Sequence, residues 1–206
     1  MSRLPATRHL YVFMALLVLS ACSGKSPQLP RIEANDVVLA FGDSLTFGTG
    51  AAESESYPAV LGQLIQRNVV RAGVPGEVTA QGLERLPGVL ESHKPKLVVL
   101  CLGGNDMLRR IDDKTIVANL RTMIQLIRRQ GSAVVVLGVP KPALFGGAAA
   151  FYAELAKELG VAYEGEIVTT VLRDNSLKSD PIHPNALGYR KIAERLAGFF
   201  KKSGAI

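Results

Sequence analysis

The chain has 206 residues, of which 48% are hydrophobic and 20% are charged, with a formal net charge of +6. This length suits one domain with a sizeable core, and the composition is that of a globular protein, which excludes a disordered chain. The basic residues are scattered along helical segments without interleaved aromatic residues, which excludes a surface built for nucleic acid.

The first 21 residues have the pattern of an export signal. Basic residues precede the apolar run 10–19, which ends in the letters LSAC at 19–22. The run is too short for a transmembrane helix, which needs about 20 apolar residues. The ending resembles the lipobox of bacterial lipoproteins, which implies cleavage before Cys22 and its acylation, and hence the membrane as a partner. By the same resemblance, Ser23 favours the outer membrane, facing the periplasm; plain secretion and an uncleaved anchor are the alternatives.

The rest of the chain alternates between strand and helix patterns. Residues 22–35 are polar with two prolines and predict a tether, so the expected domain covers 36–206. Strands are predicted at 36–41, 68–73, 96–104, 132–140 and 161–165, and helices at 56–67, 77–93, 113–131, 148–160, 166–174 and 185–204. Pro87 is expected to end or kink the second helix. Continuous apolar strands separated by helices predict an α/β fold, a parallel sheet covered on both faces in three layers.

Three predicted strands run into glycine and polar residues: Gly42-Asp43-Ser44, the AGVPG of 72–76 and the GGND of 103–106. Because sites in parallel sheets form at the carboxyl ends of strands, we expect these segments to meet at one rim. Ser44 is thereby a candidate nucleophile. Its backbone N–H, the N–H of Gly76 and the amide of Asn105 are candidate donors to an oxyanion. The alternative is that Gly76 and Asn105 only form turns.

A serine nucleophile needs an adjacent base, and beyond the export signal the chain offers only His93 and His183. His93 follows a predicted helix among charged residues and is expected to be exposed and without a catalytic role. His183 lies between two prolines and three residues after Asp180, whose carboxylate can reach the ring Nδ1 and fix the tautomer. We therefore predict that Ser44 pairs with His183 and Asp180; the alternative for Asp180 is that it merely starts a turn.

Thiol and metal chemistry are not indicated. Cys101 lies inside an apolar strand and is expected to be buried and inert, and no histidine or cysteine spacing fits a metal site. The G-x-S-x-G elbow is absent because Thr46 stands at its second glycine, which argues against the α/β-hydrolase arrangement. Asp106 is expected to fix its loop, and Asp43 to brace the turn around Ser44.

The segments FGDSLTFG, AGVPG, GGNDMLR and DPIHPNALGY together resemble the four ordered blocks of the SGNH (GDSL) hydrolase superfamily. They are most similar to its branch of bacterial thioesterase I/lysophospholipase L1 and arylesterases. The resemblance implies a flavodoxin-like domain that hydrolyses esters or thioesters without a cofactor. It implies Ser44 as nucleophile, Gly76 and Asn105 in the oxyanion hole, and His183 as base oriented by Asp180.

One position departs from the family pattern, since Arg71 stands where related sequences often have Asn. Bracing of the loop by that Asn is therefore in doubt, and Arg71 is a candidate to pair with a nearby acid instead.

The expected reaction is two-step acyl transfer on a lipid-type or aryl ester. Leu45, Phe47, Leu144 and Phe145 are candidates for an acyl groove, with burial in the core as the alternative. Two other functions remain open at this point: an esterase that removes O-acetyl groups from envelope carbohydrate, and a non-catalytic lipoprotein that uses the fold for binding.

Overall fold

The computed structural model describes residues 27–141 and 146–206. The predicted signal at 1–21, Cys22, and the groove candidates Leu144 and Phe145 lie outside the described residues. Within the described ranges, no helix combines the length and apolarity needed to cross a membrane.

The described part of the chain forms one parallel sheet of five strands in the order β2-β1-β3-β4-β5. The strands are β1 Val37–Gly42, β2 Asn68–Gly73, β3 Leu97–Cys101, β4 Ala133–Leu137 and β5 Ala162–Glu164. This order confirms the predicted flavodoxin-like arrangement. The central strand β3 is buried along its whole length, which explains why its sequence is continuously apolar.

Helices cover both faces of the sheet. They are α1 Ser44–Phe47, α2 Tyr57–Ile65, α3 Thr79–His93, α4 Gly104–Leu108, α5 Asp113–Arg129, α6 Ala150–Leu159, α7 Ile167–Arg173 and α8 Ala186–Lys202. Helices α2 and α8 pack against each other, as do α3 and α5. The short helices α1 and α4, which the sequence pattern did not predict, follow β1 and β3 at the carboxyl edge of the sheet.

Helix α3 runs through Pro87 to His93, so the expectation that this proline ends the helix is wrong, whereas the alternative of a kink stays a prediction. Proline removes one helical hydrogen bond, which is the bond that residue 87 would donate to the carbonyl of Leu83. Leu86 and Leu90 are fully buried on either side of this position, whereas Pro87 itself is exposed. Burial of the flanking leucines therefore outweighs the lost hydrogen bond.

The predicted tether over 22–35 is too long, because Leu29 and Ile32 are buried in the core. The N–H of Ile32 donates to the carbonyl of Ala205 at 2.8 Å, just beyond the end of α8. Arg67, which precedes β2, donates from Nε to the carbonyl of Ile32 at 3.0 Å. The segment therefore closes the amino edge of the sheet, and two isolated apolar residues in a polar stretch gave no periodic signal of this packing.

Candidate active site

Ser44 is the first residue of α1, directly beyond the carboxyl end of β1. The carboxylate of Asp43 caps this helix by accepting the N–H of Leu45 at 3.0 Å. Gly42 leaves no room for a side chain, since a Cβ there would lie 2.3 Å from the carbonyl of Cys101 on the neighbouring strand. The turn after β1 is thus tight, and it presents Ser44 at the rim of the sheet.

The structure brings His183 and Asp180 to Ser44. Nε2 of His183 lies 2.9 Å from Oγ of Ser44, and Nδ1 lies 2.7 Å from Oδ2 of Asp180. Oδ1 of Asp180 accepts the N–H groups of Ile182 and His183, both at 2.9 Å. With the ring proton on Nδ1, Nε2 is free to accept a proton from the serine hydroxyl.

Asp180 lies in a loop that is open to solvent, and its hydrogen bonds favour the ionised carboxylate. Burial acts to raise the pKa of Asp180, but the hydrogen bonds from the His183 ring and from the two N–H groups outweigh it, so the pKa lies below its ordinary value. The Asp180 side chain is 43% exposed and that of His183 is 15% exposed. An ionised carboxylate at Nδ1 favours the imidazolium that forms when the base takes a proton.

The three candidate oxyanion donors surround the same rim. The N–H groups of Ser44 and Gly76 have no protein acceptor in residues 27–141 and 146–206, so both remain open to a ligand. Gly76 adopts a φ of 77°, a left-handed conformation that favours glycine. The amide of Asn105 lies on α4 and donates from Nδ2 to the carbonyl of Glu77 at 3.0 Å and to Oδ2 of Asp43 at 3.3 Å.

Asp43 braces the turn that carries Ser44, and no hydrogen bond among the described residues joins it to His183. Its side chain is only 2% exposed. Burial raises the pKa of Asp43 to about 7, and the nearby carboxylates of Glu77 and Asp106 act in the same direction, while the N–H of Leu45 opposes them. The buried position of Asp43 fits its expected bracing role, and Asp180 is the acid that forms the hydrogen bond with the His183 ring.

Asp106 fixes the start of α3, as expected of a loop-bracing acid. It accepts the N–H of Thr79 at 2.9 Å and the Thr79 hydroxyl at 2.5 Å. Asn119 on α5 donates to the same hydroxyl at 3.0 Å. Sequence reasoning missed Thr79, and the available signal was a threonine at the start of a helix that follows the Gly76 turn.

A cavity of about 690 Å³ opens beside Ser44 and His183. Its apolar lining includes Leu45, as predicted, together with Leu108, Val139 and Ile182. Phe47, the other groove candidate of that helix, is not part of the lining. The expectation for Phe47 is therefore wrong.

Phe47 packs against Arg71. The guanidinium of Arg71 lies 4.6 Å from the centre of the Phe47 ring and donates to the Phe47 carbonyl at 2.7 Å. It also forms an ion pair with Glu53 at 3.0 Å. Arg71 thus pairs with an acid, as expected, and its hydrogen bond to the Phe47 carbonyl also braces the loop that follows α1.

The remaining reactive side chains lie away from this chemistry. Cys101 is buried in β3, and burial raises the pKa of its thiol well above the ordinary value, so the inert role fits. His93 is the exposed last residue of α3. No cluster of metal-binding side chains occurs among the residues that the structure describes.

The sequence matches one protein family and is similar to known proteins. Residues 40–191 match the model of the GDSL-like Lipase/Acylhydrolase family. The chain is similar to Thioesterase 1/protease 1/lysophospholipase L1 of Escherichia coli K12, with 33% identity covering 81% of this chain and 84% of that protein. It is also similar to the Arylesterase of Vibrio mimicus, with 31% identity covering 88% and 94%.

Solved structures share the fold. The crystal structure of TesA superposes with a TM-score of 0.74 at 28% identity, covering 82% of this chain and 99% of that one. The matched family region contains the rim residues described above, from Ser44 to His183. The chain belongs to the GDSL-like lipase/acylhydrolase family and is a hydrolase of ester bonds.

Proposed function

We propose that the protein hydrolyses acyl esters through a covalent acyl-enzyme on Ser44. The observation that carries the proposal is the continuous chain of hydrogen bonds from Oγ of Ser44 through the ring of His183 to the carboxylate of Asp180. A serine hydroxyl becomes a useful nucleophile when an adjacent base takes its proton and a third group orients that base.

The reaction proceeds in two half-reactions. Oγ of Ser44 attacks the carbonyl carbon while Nε2 of His183 takes the hydroxyl proton, and Asp180 stabilises the resulting imidazolium. The negative oxygen of the tetrahedral intermediate accepts hydrogen bonds from the N–H groups of Ser44 and Gly76, and from the Asn105 amide once its 3.3 Å hydrogen bond to Asp43 is exchanged for the oxyanion. The intermediate collapses, and the leaving alcohol takes its proton from His183. Water, activated by the same histidine, then releases the acid.

The first test is the variant Ser44→Ala, assayed with 4-nitrophenyl butyrate. Because loss of the nucleophile removes the covalent route, turnover is expected to fall by about 10⁴-fold or more. Ser92→Ala is the matched control, since Ser92 is exposed and its hydroxyl bonds only to the Gly88 carbonyl within α3. Circular dichroism checks that both variants fold, and near-wild-type turnover in Ser44→Ala would sink the assignment.

The cavity supports esters with an extended apolar acyl or aryl group. A volume of about 690 Å³ lined by Leu45, Leu108, Val139 and Ile182 exceeds what an acetyl group needs. The names of the similar proteins, which include a thioesterase/lysophospholipase and an arylesterase, point to the same range of esters. We therefore propose lipid-type or aryl esters, and not O-acetylated carbohydrate, as the substrates.

Chain length separates these two substrate classes. Rates on 4-nitrophenyl acetate, butyrate and octanoate are expected to rise with acyl length through a lower KM, because each added methylene buries apolar surface worth about 0.8 kcal/mol at most. Leu108→Ser, at the cavity wall, is expected to weaken the octanoate ester more than the acetate. A steady fall from acetate to octanoate would instead favour the acetylesterase.

We also propose that the protein is an exported lipoprotein anchored through Cys22. The support is the LSAC sequence at 19–22. Leu29 and Ile32 lie at the amino edge of the sheet, and the seven residue-to-residue steps from Cys22 to Leu29 span at most about 25 Å. The anchor would therefore hold the domain by the edge opposite Ser44, with the catalytic rim turned away from the anchoring leaflet.

Labelling tests the anchor directly. Wild-type protein expressed in a bacterial host with an alkyne fatty acid is expected to take up label, whereas Cys22→Ser is expected to take up none. Cys101→Ser is the control, since Cys101 is buried. Equal labelling of the wild-type and Cys22→Ser proteins would exclude this acylation site.

A further inference from the structure

An ion pair lies beneath the turn that carries Gly76. Arg85, on α3, donates from Nε to Oε1 of Glu77 at 2.5 Å and from Nη2 to Oε2 at 2.7 Å. The Glu77 side chain is only 4% exposed, and that of Arg85 is 25% exposed. The guanidinium carbon also lies 4.0 Å from the centre of the Phe41 ring on β1. The guanidinium is therefore held in one orientation from two sides.

The same guanidinium reaches the ends of two strands. Nη2 of Arg85 lies 2.9 Å from the carbonyl of Ala72 at the end of β2 and 3.2 Å from the carbonyl of Gly42 at the end of β1. The Gly42 carbonyl also accepts the N–H of Val74 at 3.0 Å, which ties the Gly76 turn to β1. One side chain thus joins both strand ends to Glu77.

Each oxyanion donor lies next to an atom that Arg85 holds. Ser44 follows Gly42 by two residues, and Gly76 immediately precedes Glu77. The third donor, the amide of Asn105, is itself held by the main-chain carbonyl of Glu77 at 3.0 Å. We propose that Arg85 is a positioning residue that sets the spacing of the three donors through Glu77 and the two strand ends. The inference rests on the roles proposed above for Ser44, Gly76 and Asn105.

Stability alone does not account for this pair. Removing a carboxylate and a guanidinium from water costs free energy, and a buried ion pair is often no more stabilising than an apolar pair of similar volume. The forked guanidinium offers five N–H donors in a fixed plane, so it can serve a carboxylate and strand-end carbonyls together, which a lysine ammonium cannot do with the same geometry. This requirement for geometry points to a positioning role.

The chain contains a matched control pair. Arg121 on α5 binds Glu158 on α6 with the same two nitrogens, Nε at 3.2 Å and Nη2 at 2.7 Å. This pair lies at the surface, and neither of its residues lines the cavity beside Ser44. Comparing Arg85→Met with Arg121→Met therefore separates loss of an arginine–glutamate fork in general from loss of this one.

The experiment measures kcat and KM with 4-nitrophenyl butyrate, and inhibition by butylboronic acid. The boronate forms a bond to the serine oxygen and places a hydroxyl where the oxyanion develops, so its Ki reports on the donors. Arg85→Met is expected to lower kcat by about 30- to 100-fold with KM within about twofold, and to raise the Ki by a similar factor. Arg85→Lys is expected to lose about tenfold, while Arg121→Met keeps wild-type values.

Two results would overturn the inference: kcat values of Arg85→Met and Arg85→Lys equal to that of Arg121→Met, or a fall in kcat without any change in the boronate Ki. If Arg85→Met does not fold, Arg85→Lys and Glu77→Gln carry the same comparison, with folding checked by circular dichroism. Ser44→Ala is assayed in parallel. If Ser44→Ala keeps its activity, the proposed nucleophile is refuted. If Ser44→Ala is inactive and the Arg85 variants are fully active, only the positioning role is refuted.

Discussion

The catalytic rim has two sides: a donor side with Ser44, Gly76 and Asn105, and a base side with Asp180 and His183. They differ in how far the residues that hold them are buried. On the donor side, Asn105 is held by two buried residues: Asp43 is 2% exposed and Glu77 is 4% exposed. On the base side, Asp180 is 43% exposed, although it orients His183 through a 2.7 Å hydrogen bond. The donor side is thus fixed by partly buried hydrogen bonds to buried residues, and the base side by a short loop in contact with water.

This difference matters because the two sides do different chemistry. Donors to an oxyanion are effective when they are already in place before the charge develops. A base must instead accept a proton, become charged and return the proton, and contact with water lowers the cost of that charge. We therefore expect variants on the donor side to change transition-state stabilisation and folding together, and variants on the base side to change the reaction with little effect on folding.

Among the variants that compare the two sides, the largest effect is expected for Asn105→Ala on the donor side. Loss of one preorganised donor typically lowers kcat by 10²- to 10³-fold, and the carbonyl of Glu77 would also lose its partner. The measurement is kcat with 4-nitrophenyl butyrate, with thermal unfolding as the readout of stability. Asn119→Ala is a nearby control that removes an amide bonded to Thr79 instead. A kcat for Asn105→Ala within threefold of wild type would remove the amide from the set of donors.

A smaller effect is expected for Asp180→Asn on the base side. Replacement of a buried triad aspartate costs about 10⁴-fold in kcat in a chymotrypsin-type enzyme. Because Asp180 is partly exposed, water can replace some of its interaction with the imidazolium, and a loss of about 10²-fold is expected. The unfolding temperature should stay within a few degrees of wild type. A loss as large as 10⁴-fold would mean that exposure does not weaken this carboxylate, and the contrast between the two sides would fail.

The sequence predicted much of the fold because its signals are local. Continuous apolar strands such as β3 and the amphipathic pattern of α5 identify a parallel sheet covered by helices. The expectation that Pro87 ends its helix was wrong because a local rule was applied where burial of Leu86 and Leu90 decides the outcome. The packing of Ile32 was missed for a related reason, since its partner lies at the far end of the chain.

The candidate site also has parts that could be predicted from sequence and parts that could not. Ser44 and His183, 139 residues apart, could be paired from sequence because the chain offers few histidines and one serine at a strand end. The hydrogen bonds that hold the donors could not be predicted from sequence. A helical segment contains many charged residues, and no sequence pattern shows that Arg85 contacts Glu77. Which charged residues meet is decided by how α3 sits on the strands.

The donor side is also expected to carry a pH signature. Burial raises the pKa of Asp43 from 3.8 to about 7, so between about pH 4 and 7 the folded protein keeps a proton that the unfolded chain has released. The free energy of unfolding should therefore fall as pH rises through this window, by up to about 1.4 kcal/mol per pH unit, and level off above pH 7. Asp43→Asn cannot ionise and should lack this part of the slope.

Urea unfolding between pH 4 and 8 measures the effect on wild type and Asp43→Asn. The control is Asp36→Asn, which changes a carboxylate that accepts a hydrogen bond at an exposed turn. Equal slopes for wild type and Asp43→Asn would show that Asp43 does not hold its proton in the folded state. The donor side would then contain a buried carboxylate that is already charged at pH 5.

The smallest effect is expected for Arg71→Met, in β2 beside α1. The variant keeps an apolar side chain over the Phe47 ring but loses the ion pair with Glu53 and the hydrogen bond to the Phe47 carbonyl. Glu53 is 78% exposed, so solvent screens the pair, and the loss of unfolding free energy should be about 1 kcal/mol or less. Arg71 braces the loop after α1 and contacts none of the three oxyanion donors, so kcat should stay within about twofold of the wild-type value. A fall in kcat comparable to that of Asn105→Ala, absent from Glu53→Gln, would mean that the Phe47 carbonyl bond helps to hold Ser44, and the rigid donor side would extend through α1.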